Sequence, residues 1–320
     1  MKEPVRIAVL DDYQGVADSF ADWGRLPEAA LLSVFRDTLT EPEALVERLA
    51  PFDIICAMRE RTPFPADLIA RLPKLRLIVT TGMRNAAIDV AAAKRRGVLV
   101  CGTASPGHAT AELAFGLILA LARGLAPESQ SMREGAWQVG IGRDLRGATL
   151  GIIGLGRLGA EVAGFGQAFG MTVIAWSENL TQERCAALGV ARVEKDELLG
   201  RSDFVTIHTR LSARTRGLIS APDLALMKPD SYLVNTSRGP IVDWRALLAA
   251  LEAGRPAGAA LDVYDEEPLA PDHPLRGSDK LLLTPHIGYV TQETYRVFYE
   301  ETLEAVFAFL EGAPIRVIDG

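Results

Sequence analysis

The chain has 320 residues, a formal net charge of −7 and a sequence pI near 5.3, with 48% hydrophobic and 23% charged residues. This length predicts about two domains, and the composition is ordinary for a globular protein. Because the chain is acidic and no basic patch stands out of the background, we expect no nucleic-acid partner.

The cysteines and the hydropathy of the chain indicate in which cellular compartment the protein is expected. The N-terminal sequence offers four consecutive apolar residues, too few for a secretory signal, and the longest apolar run, residues 113–122, is too short to span a bilayer. Cys56, Cys101 and Cys185 lie far apart without a C-x-x-C pair, which predicts reduced, buried thiols. We therefore expect a cytoplasmic protein with no membrane segment, disulfide framework or metal site.

The first part of the chain, residues 1–102, alternates β-like runs with helical patterns, which is typical of parallel strands joined by crossover helices. These runs are RIAVLDD, DIICAMR, LRLIVTTG and VLVCG. Residues 109–123 are apolar on nearly every side and predict a helix buried between two domains. The polar stretch 127–147 shows little periodicity and predicts a long loop.

A second series of β-like runs starts at Leu150 and has the rhythm of a doubly wound sheet. Its six runs are LGIIGLG, MTVIAWS, DFVTIHT, SYLVNTSRG, AGAALDVY and KLLLTPH. Within it, residues 243–254 predict a helix with Asp243 as N-cap and Gly254 beyond its end. The segment from Thr291 has one apolar helical face and could return to cover the first domain.

A complete G-x-G-x-x-G follows the first strand of this second series, with glycines at 154, 156 and 159. In a dinucleotide site Gly154 permits the turn, Gly156 lets backbone approach a pyrophosphate, and Gly159 lets the helix pack on the strand. The helix is expected to begin at about Arg157, where its unpaired N–H groups would meet the phosphates. The next strand ends at Ser177, where a ribose-reading residue is expected. The alternative is a glycine-lined turn without a ligand.

Polar residues follow three later strands, where ligands bind in open α/β sheets. They are Arg238, Asp262 with Glu267, and His286. A carboxylate beside an imidazole favours the protonated ring, and a guanidinium forks onto a carboxylate, so the set suits a 2-hydroxy or 2-oxo acid. Taken singly, Arg238 and Glu267 could instead form surface ion pairs, and His286 could be structural.

Other polar residues allow two interpretations each. Arg59 and Arg84 end strands of the first domain and could contact a substrate, or could lie on the surface. His208 ends the strand FVTIH and is expected to line the cofactor pocket or to pack in the interior.

At these residues the chain resembles the D-isomer-specific 2-hydroxyacid dehydrogenase family. The motifs GLGRLG, NTSRGPIVD, GAALDVYDEEP and LLTPHIG carry the resemblance over about 155–290, and TTGMRNAAID and AELAFGLILALAR extend it towards the N-terminus. The resemblance implies two doubly wound parallel-sheet domains, a Rossmann NAD(P)-binding domain (103–286) inserted in a flavodoxin-like catalytic domain (1–102 and 287–320). It also implies a homodimer with an arm at 124–147.

The same resemblance implies roles for individual residues. His286 resembles the proton donor, Glu267 its partner, and Arg238 the residue that holds and polarises the substrate. The predicted cofactor-binding residues are Gly154, Gly156, Arg157, Leu158, Gly159, Ser177, Thr209, Thr236, Ser237, Arg238, Asp262, His286 and Gly288. The predicted substrate-binding residues are Arg59, Gly82, Met83, Arg84 and Arg238.

Three residues depart from the family pattern, and these departures bear on which cofactor and which substrate the chain would bind. Ser177 stands where the family often has aspartate, Arg210 where it often has proline, and Tyr289 where a small residue is commoner. We therefore expect NAD, with NADP possible, and leave the 2-oxo acid open. The alternative from another class is an NAD(H)-sensing, co-repressor-like protein with little turnover.

Overall fold

The computed structural model describes residues 3–319 and divides the chain into two compact units, Met1–Pro106 with Val290–Gly320, and Gly107–Tyr289. The boundaries predicted from the sequence, after 102 and after 286, lie four and three residues earlier. Hydrogen bonds account for the difference. Ala104 N–H donates to Glu301 (2.6 Å) within the first unit, whereas Gly288 N–H donates to Asp262 (2.8 Å) within the second.

The first unit is a five-stranded parallel sheet in the order β2-β1-β3-β4-β5, the flavodoxin order that was predicted. Its elements are β1 (Val5–Val9), α1 (Ala17–Phe20), β2 (Ala30–Val34), α2 (Pro42–Leu49), β3 (Ile54–Ala57), α3 (Ala66–Ala70), β4 (Leu77–Thr80), α4 (Val90–Arg95) and β5 (Leu99–Gly102). Strand β2 was missed, because an edge strand is only half-buried and its apolar signal is weak.

The second unit is a seven-stranded parallel sheet in the order β12-β11-β10-β9-β6-β7-β8, a Rossmann arrangement. Its elements are α5 (Ala109–Arg123), α6 (Leu125–Arg133), β6 (Thr149–Ile153), α7 (Arg157–Ala168), β7 (Thr172–Trp176), α8 (Gln182–Ala186), β8 (Ala191–Arg192), α9 (Lys195–Arg201), β9 (Phe204–Ile207), α10 (Ala221–Leu226), β10 (Tyr232–Asn235), α11 (Trp244–Glu252), β11 (Gly258–Leu261) and β12 (Leu281–Leu283). The six predicted strands are confirmed, and the two-residue edge strand β8 is additional.

Helix α12 (Gln292–Leu310) returns to the first unit and packs against β4 and β5, as its apolar face predicted. The cap of α11 is also confirmed, since the Asp243 side chain accepts from the N–H groups of Arg245 and Ala246 at the helix start. Both sheets are covered on their two faces, so strands such as β3, β4 and β9 are buried at every position.

Two expectations about the middle of the chain need correction. Helix α5 packs against α7, β10 and β11 of the second unit, but Glu112 and Gly116 are exposed, so the helix is not buried on every side. The stretch 127–147 is a loop only in part, because α6 occupies its beginning. Within residues 3–319 no single helix is long and apolar enough to cross a bilayer; α5 and α6 reach that length only as a pair bent by 64°.

Candidate active site

Register brings three strand ends together at one edge of the second sheet. Asn235, the last residue of β10, pairs with Leu261 at the end of β11, which pairs with Leu283 at the end of β12. The segments that follow these strands carry Arg238, then Asp262 and Glu267, then His286. The sheet therefore places the three residues with predicted catalytic roles, Arg238, Glu267 and His286 (the trio), on three neighbouring loops, as expected for the carboxyl edge of parallel strands.

His286 and Glu267 form a hydrogen-bonded pair. The Nδ1 atom of His286 lies 2.5 Å from Oε2 of Glu267, and the two side chains are 22% and 29% exposed. The other carboxylate oxygen, Oε1, accepts the backbone N–H of Tyr264 (2.8 Å). Because Nδ1 is engaged by the carboxylate, Nε2 is the nitrogen available to a ligand.

The backbone at His286 is left-handed, with φ of 52°, a conformation that non-glycine residues seldom adopt. Asp262 holds the following residues in place, because its two oxygens accept the N–H groups of Ile287 and Gly288 (2.8 Å each). The Thr284 hydroxyl also donates to Asp262 (2.6 Å). Asp262 is fully buried, and burial raises the pKa of its carboxyl despite these donors. The carboxylate of Asp262 therefore holds the turn around His286, residues 284–288.

Arg238 ends a short turn that begins at Asn235. The Asn235 Oδ1 accepts the N–H of Ser237 (3.0 Å), and Nδ2 donates to the carbonyl of Arg238 (3.0 Å). The Ser237 hydroxyl donates to the carbonyl of Thr209, which ties this turn to the end of β9. The sequence analysis missed Asn235; its signal was an asparagine at the end of an otherwise apolar strand.

The glycine turn after β6 has the geometry that a dinucleotide requires. Gly154 has a φ of 100°, and a Cβ there would lie 2.8 Å from the backbone nitrogen of Thr209. A Cβ on Gly159 would lie 2.1 Å from the carbonyl oxygen of Gly154, so the helix packs directly on the turn. Gly156 faces open space, and no side chain caps the start of α7. This helix end can receive an anion.

A buried, unpaired hydroxyl adds a second sign of a ligand. The Oγ1 atom of Thr236 is buried and has no hydrogen-bond partner among residues 3–319, a costly state unless a bound group satisfies it. Leu158 is half-buried in the first turn of α7, and the guanidinium of Arg157 packs over the backbone of Gly107. Together with the glycine turn, the residues present fit a dinucleotide.

At the far side of this edge, half-buried Ser177 follows the end of β7, and exposed Glu178 comes next. A groove of about 330 Å³ lies beside it, and its lining residues are Trp176, Glu178, Arg192, Glu194, Lys195 and Asp196. No arginine immediately follows Ser177 in the sequence, but β8 places Arg192 in this groove. Its guanidinium donates to the carbonyl of Leu180 (2.8 Å) and lies 3.4 Å from Glu194.

His208, at the end of β9, bonds Thr206 through Nε2 (3.0 Å), and burial lowers the pKa of its imidazole to about 4. The ring is therefore neutral near pH 7. Within residues 3–319 no group of three or more histidines, cysteines and carboxylates could hold a metal ion, and the three cysteines are free and buried.

The predicted substrate residues of the first unit lie just beyond the carboxyl ends of β3 and β4. The Arg59 guanidinium donates to the carbonyl of Thr81 (3.2 Å) and packs over Gly82. The N–H of Gly82 donates to Thr103 (2.8 Å), and Met83 is 44% exposed. Arg84 is exposed next to them. The first unit thus gathers these four residues at one edge of its sheet.

Comparison with known proteins gives consistent matches. The family model for the D-isomer specific 2-hydroxyacid dehydrogenase, NAD binding domain, matches residues 115–288. A glyoxylate reductase of Korarchaeum cryptofilum is 37% identical over 279 residues, covering 84% of this chain and 83% of the relative.

Solved structures of similar fold also carry dehydrogenase or oxidoreductase names. A phosphoglycerate oxidoreductase from Vibrio cholerae o395 superposes with a TM-score of 0.91 at 38% identity, over 97% of this chain and 100% of that one. A D-lactate dehydrogenase from Aquifex aeolicus, complexed with NAD and lactic acid, gives a TM-score of 0.77 at 28% identity, over 96% of each chain.

The residue at the end of β7 generates a prediction about cofactor preference. Replacing Ser177 by Asp should shift the preference towards NADH over NADPH by roughly tenfold, because a carboxylate repels the 2′-phosphate across partly solvated space. The measurement is the ratio of dissociation constants for NADH and NADPH, read from nicotinamide fluorescence in both proteins.

Ser177→Asn is the matched control, since it has the shape of aspartate without its charge, and its ratio should stay near that of the wild type. A wild type that already rejects NADPH by more than about a thousandfold would mean that another group, most simply Glu178, reads the ribose.

Proposed function

This chain belongs to the D-isomer-specific 2-hydroxyacid dehydrogenase family, and we propose that it transfers a hydride between NAD and C2 of a small 2-oxo or 2-hydroxy acid. The observation that carries the proposal is the His286–Glu267 hydrogen bond of 2.5 Å on loops adjacent to that of Arg238. When bound, the cofactor would supply the hydride in its reduced form, NADH, and accept it in its oxidised form, NAD⁺.

His286 is the proposed acid and base. In reduction, Nε2 gives its proton to the oxygen on C2 as that oxygen becomes a hydroxyl, and in oxidation Nε2 takes the proton back. Glu267 stabilises the protonated ring through Nδ1 and holds its orientation. The pair is partly exposed, so the imidazole can exchange protons with solvent between turnovers.

Arg238 is the proposed anchor of the substrate. A guanidinium can bind a carboxylate through two parallel hydrogen bonds and polarise the neighbouring carbonyl oxygen. We further propose that Arg59, Gly82, Met83 and Arg84 of the first unit bind the rest of the substrate, because they share one sheet edge and include two cations and an exposed apolar side chain.

The cofactor assignment follows from the geometry of the glycine turn. We propose that N–H groups of Gly156, Arg157 and Leu158 bind the pyrophosphate and that Ser177 contacts the ribose. The hydroxyl of Thr236 would gain a partner from the bound dinucleotide. The proposal includes the remaining predicted contacts, Gly154, Gly159, Thr209, Ser237, Arg238, Asp262, His286 and Gly288.

The alternative, a nucleotide-sensing protein with little turnover, finds no support among the relatives compared here, which are named as reductases, oxidoreductases or dehydrogenases. The trio also argues for turnover, since binding a dinucleotide requires neither a histidine–carboxylate pair nor a substrate arginine.

We infer a homodimer and a cytoplasmic location. The predicted arm, 124–147, carries five apolar side chains that are each more than half exposed, an unusual concentration for a free surface: Leu125, Met132, Trp137, Val139 and Ile141. A second copy of the chain would cover them. Three free, buried cysteines suit a reducing compartment.

The first test of the function replaces the proposed acid. His286→Asn should lower turnover of 2-oxo acids by about 10² to 10⁴ while leaving NADH binding nearly intact, because a positioned proton donor is lost. Absorbance at the reduced nicotinamide band measures turnover against a panel of 2-oxo acids. Glu267→Gln should lower turnover as well, because a neutral amide replaces the carboxylate that Nδ1 of His286 contacts. Unchanged turnover in His286→Asn would refute the assignment.

The second test concerns the anchor. Arg238→Lys should weaken the apparent binding of every 2-oxo acid, because an ammonium is a point charge and cannot make the two-pronged contact. The measurement is KM across the panel, with the NADH dissociation constant as control. If only the maximal rate with one substrate changes, Arg59 or Arg84 becomes the better anchor.

The third test addresses assembly. The double variant Trp137→Asp with Ile141→Asp should dissociate the dimer, so light scattering should report a mass near the chain mass of 34.5 kDa instead of twice that value. Leu31→Asp is the matched control, because Leu31 is 47% exposed on the edge strand of the first unit, outside the arm. A wild type with the mass of one chain would contradict the dimer.

A further inference from the structure

Asn235 is a buried polar residue, and both polar atoms of its side chain form hydrogen bonds within the turn that leads to Arg238. The residue is 1% exposed at the end of β10. Its Oδ1 accepts from the N–H of Ser237 and its Nδ2 donates to the carbonyl of Arg238, both at 3.0 Å. The two bonded groups, the Ser237 N–H and the Arg238 carbonyl, lie before and after the Cα atom of Arg238. The side chain of Asn235 therefore fixes the backbone from which the Arg238 side chain extends.

The backbone of Asn235 extends this contact to the next strand. Its carbonyl accepts the N–H of Asp262 (3.0 Å) beyond the end of β11. Asp262 in turn accepts the N–H groups of Ile287 and Gly288, which follow His286. A continuous series of hydrogen bonds therefore runs from the Arg238 turn through Asn235 and Asp262 to the His286 turn.

The side chain of Arg238 is also bonded within this turn. Its Nη1 donates to the carbonyl of Ser237 (2.8 Å), a residue that Asn235 itself holds. The hydroxyl of Ser237 bonds the carbonyl of Thr209, so the turn is tied on one side to β9 and on the other to β11. Small shifts of this turn would displace the guanidinium from a substrate carboxylate.

We propose that Asn235 is a positioning residue that sets the place of Arg238 relative to His286, and so determines how well the enzyme binds the carboxylate of its substrate. This inference rests on the function proposed above. Asn235 acts only through Arg238 and has no part in the proton transfer, which belongs to the His286–Glu267 pair.

The test compares Asn235→Ser with the wild type. Serine removes the Nδ2 donor to the Arg238 carbonyl and leaves only a weaker hydroxyl acceptor for the Ser237 N–H. KM for 2-oxo acids should therefore rise about tenfold, since a misplacement of about 1 Å can cost up to a hundredfold. The dissociation constant for oxamate, an unreactive analogue, should rise equally in the enzyme–NADH complex. The turnover number kcat should change much less than KM, because the His286–Glu267 pair is untouched.

Ser231→Ala is the matched control. Ser231 is fully buried just before β10, at the other end of the strand, and its hydroxyl donates to the carbonyl of Lys228 (2.7 Å). The control should lose stability without a change in KM. If Asn235→Ser does not fold, Asn235→Asp keeps the Oδ1 acceptor and places an oxygen against the Arg238 carbonyl, and its KM should also rise.

The outcomes separate the two proposals. A wild type that reduces no 2-oxo acid refutes the function. A wild type that does so, with Asn235 variants that keep its KM and oxamate affinity, refutes the positioning role alone. A rise in KM that Ser231→Ala shows to the same extent would also overturn it, because the effect would then be a general loss of stability.

Discussion

The buried carboxylate of Asp262 is the interaction on which the catalytic edge of the second sheet depends. It is fully buried and carries three hydrogen bonds, two from backbone N–H groups after His286 and one from the Thr284 hydroxyl. Burying a carboxylate is costly unless such donors replace water. The left-handed backbone of His286 is also unfavourable and persists only where its surroundings determine it. The bonds from the N–H groups of Ile287 and Gly288 satisfy the buried carboxylate of Asp262 and also hold the backbone next to His286.

Parallel pairing explains why this one carboxylate can organise several loops. Strands β10, β11 and β12 are adjacent and in register at their last residues, so the loops that follow them start side by side. Short hydrogen bonds then suffice to connect Arg238, Asp262 and His286. The same edge continues past β9 to the glycine turn of β6 and to the Ser177 end of β7. The proposed chemistry and the proposed ribose contact thus occupy opposite sides of one strand, β6.

Burial divides the polar groups of this edge into two kinds. Asp262 and Asn235 are buried and fully bonded, so they hold backbone in place. His286 and Glu267 remain partly exposed, which leaves Nε2 of the imidazole accessible. Thr236 is the exception, since its buried hydroxyl has no partner in the described chain. An unsatisfied buried group at the same sheet edge as the glycine turn indicates a ligand that completes the site.

The sequence by itself determined the two α/β units, the glycine turn and the three strand ends that carry the trio. Central strands are apolar on both faces and helix ends carry their own caps, and both are local signals. The tertiary structure alone decided the edge strands β2 and β8, the helix α6 inside a polar stretch, and the placement of Arg192 beside Ser177. It also decided that Asp262 and Asn235 are buried organisers of backbone. Those features depend on register and on hydrogen bonds between distant residues, such as Asp262 and Gly288, which no local pattern encodes.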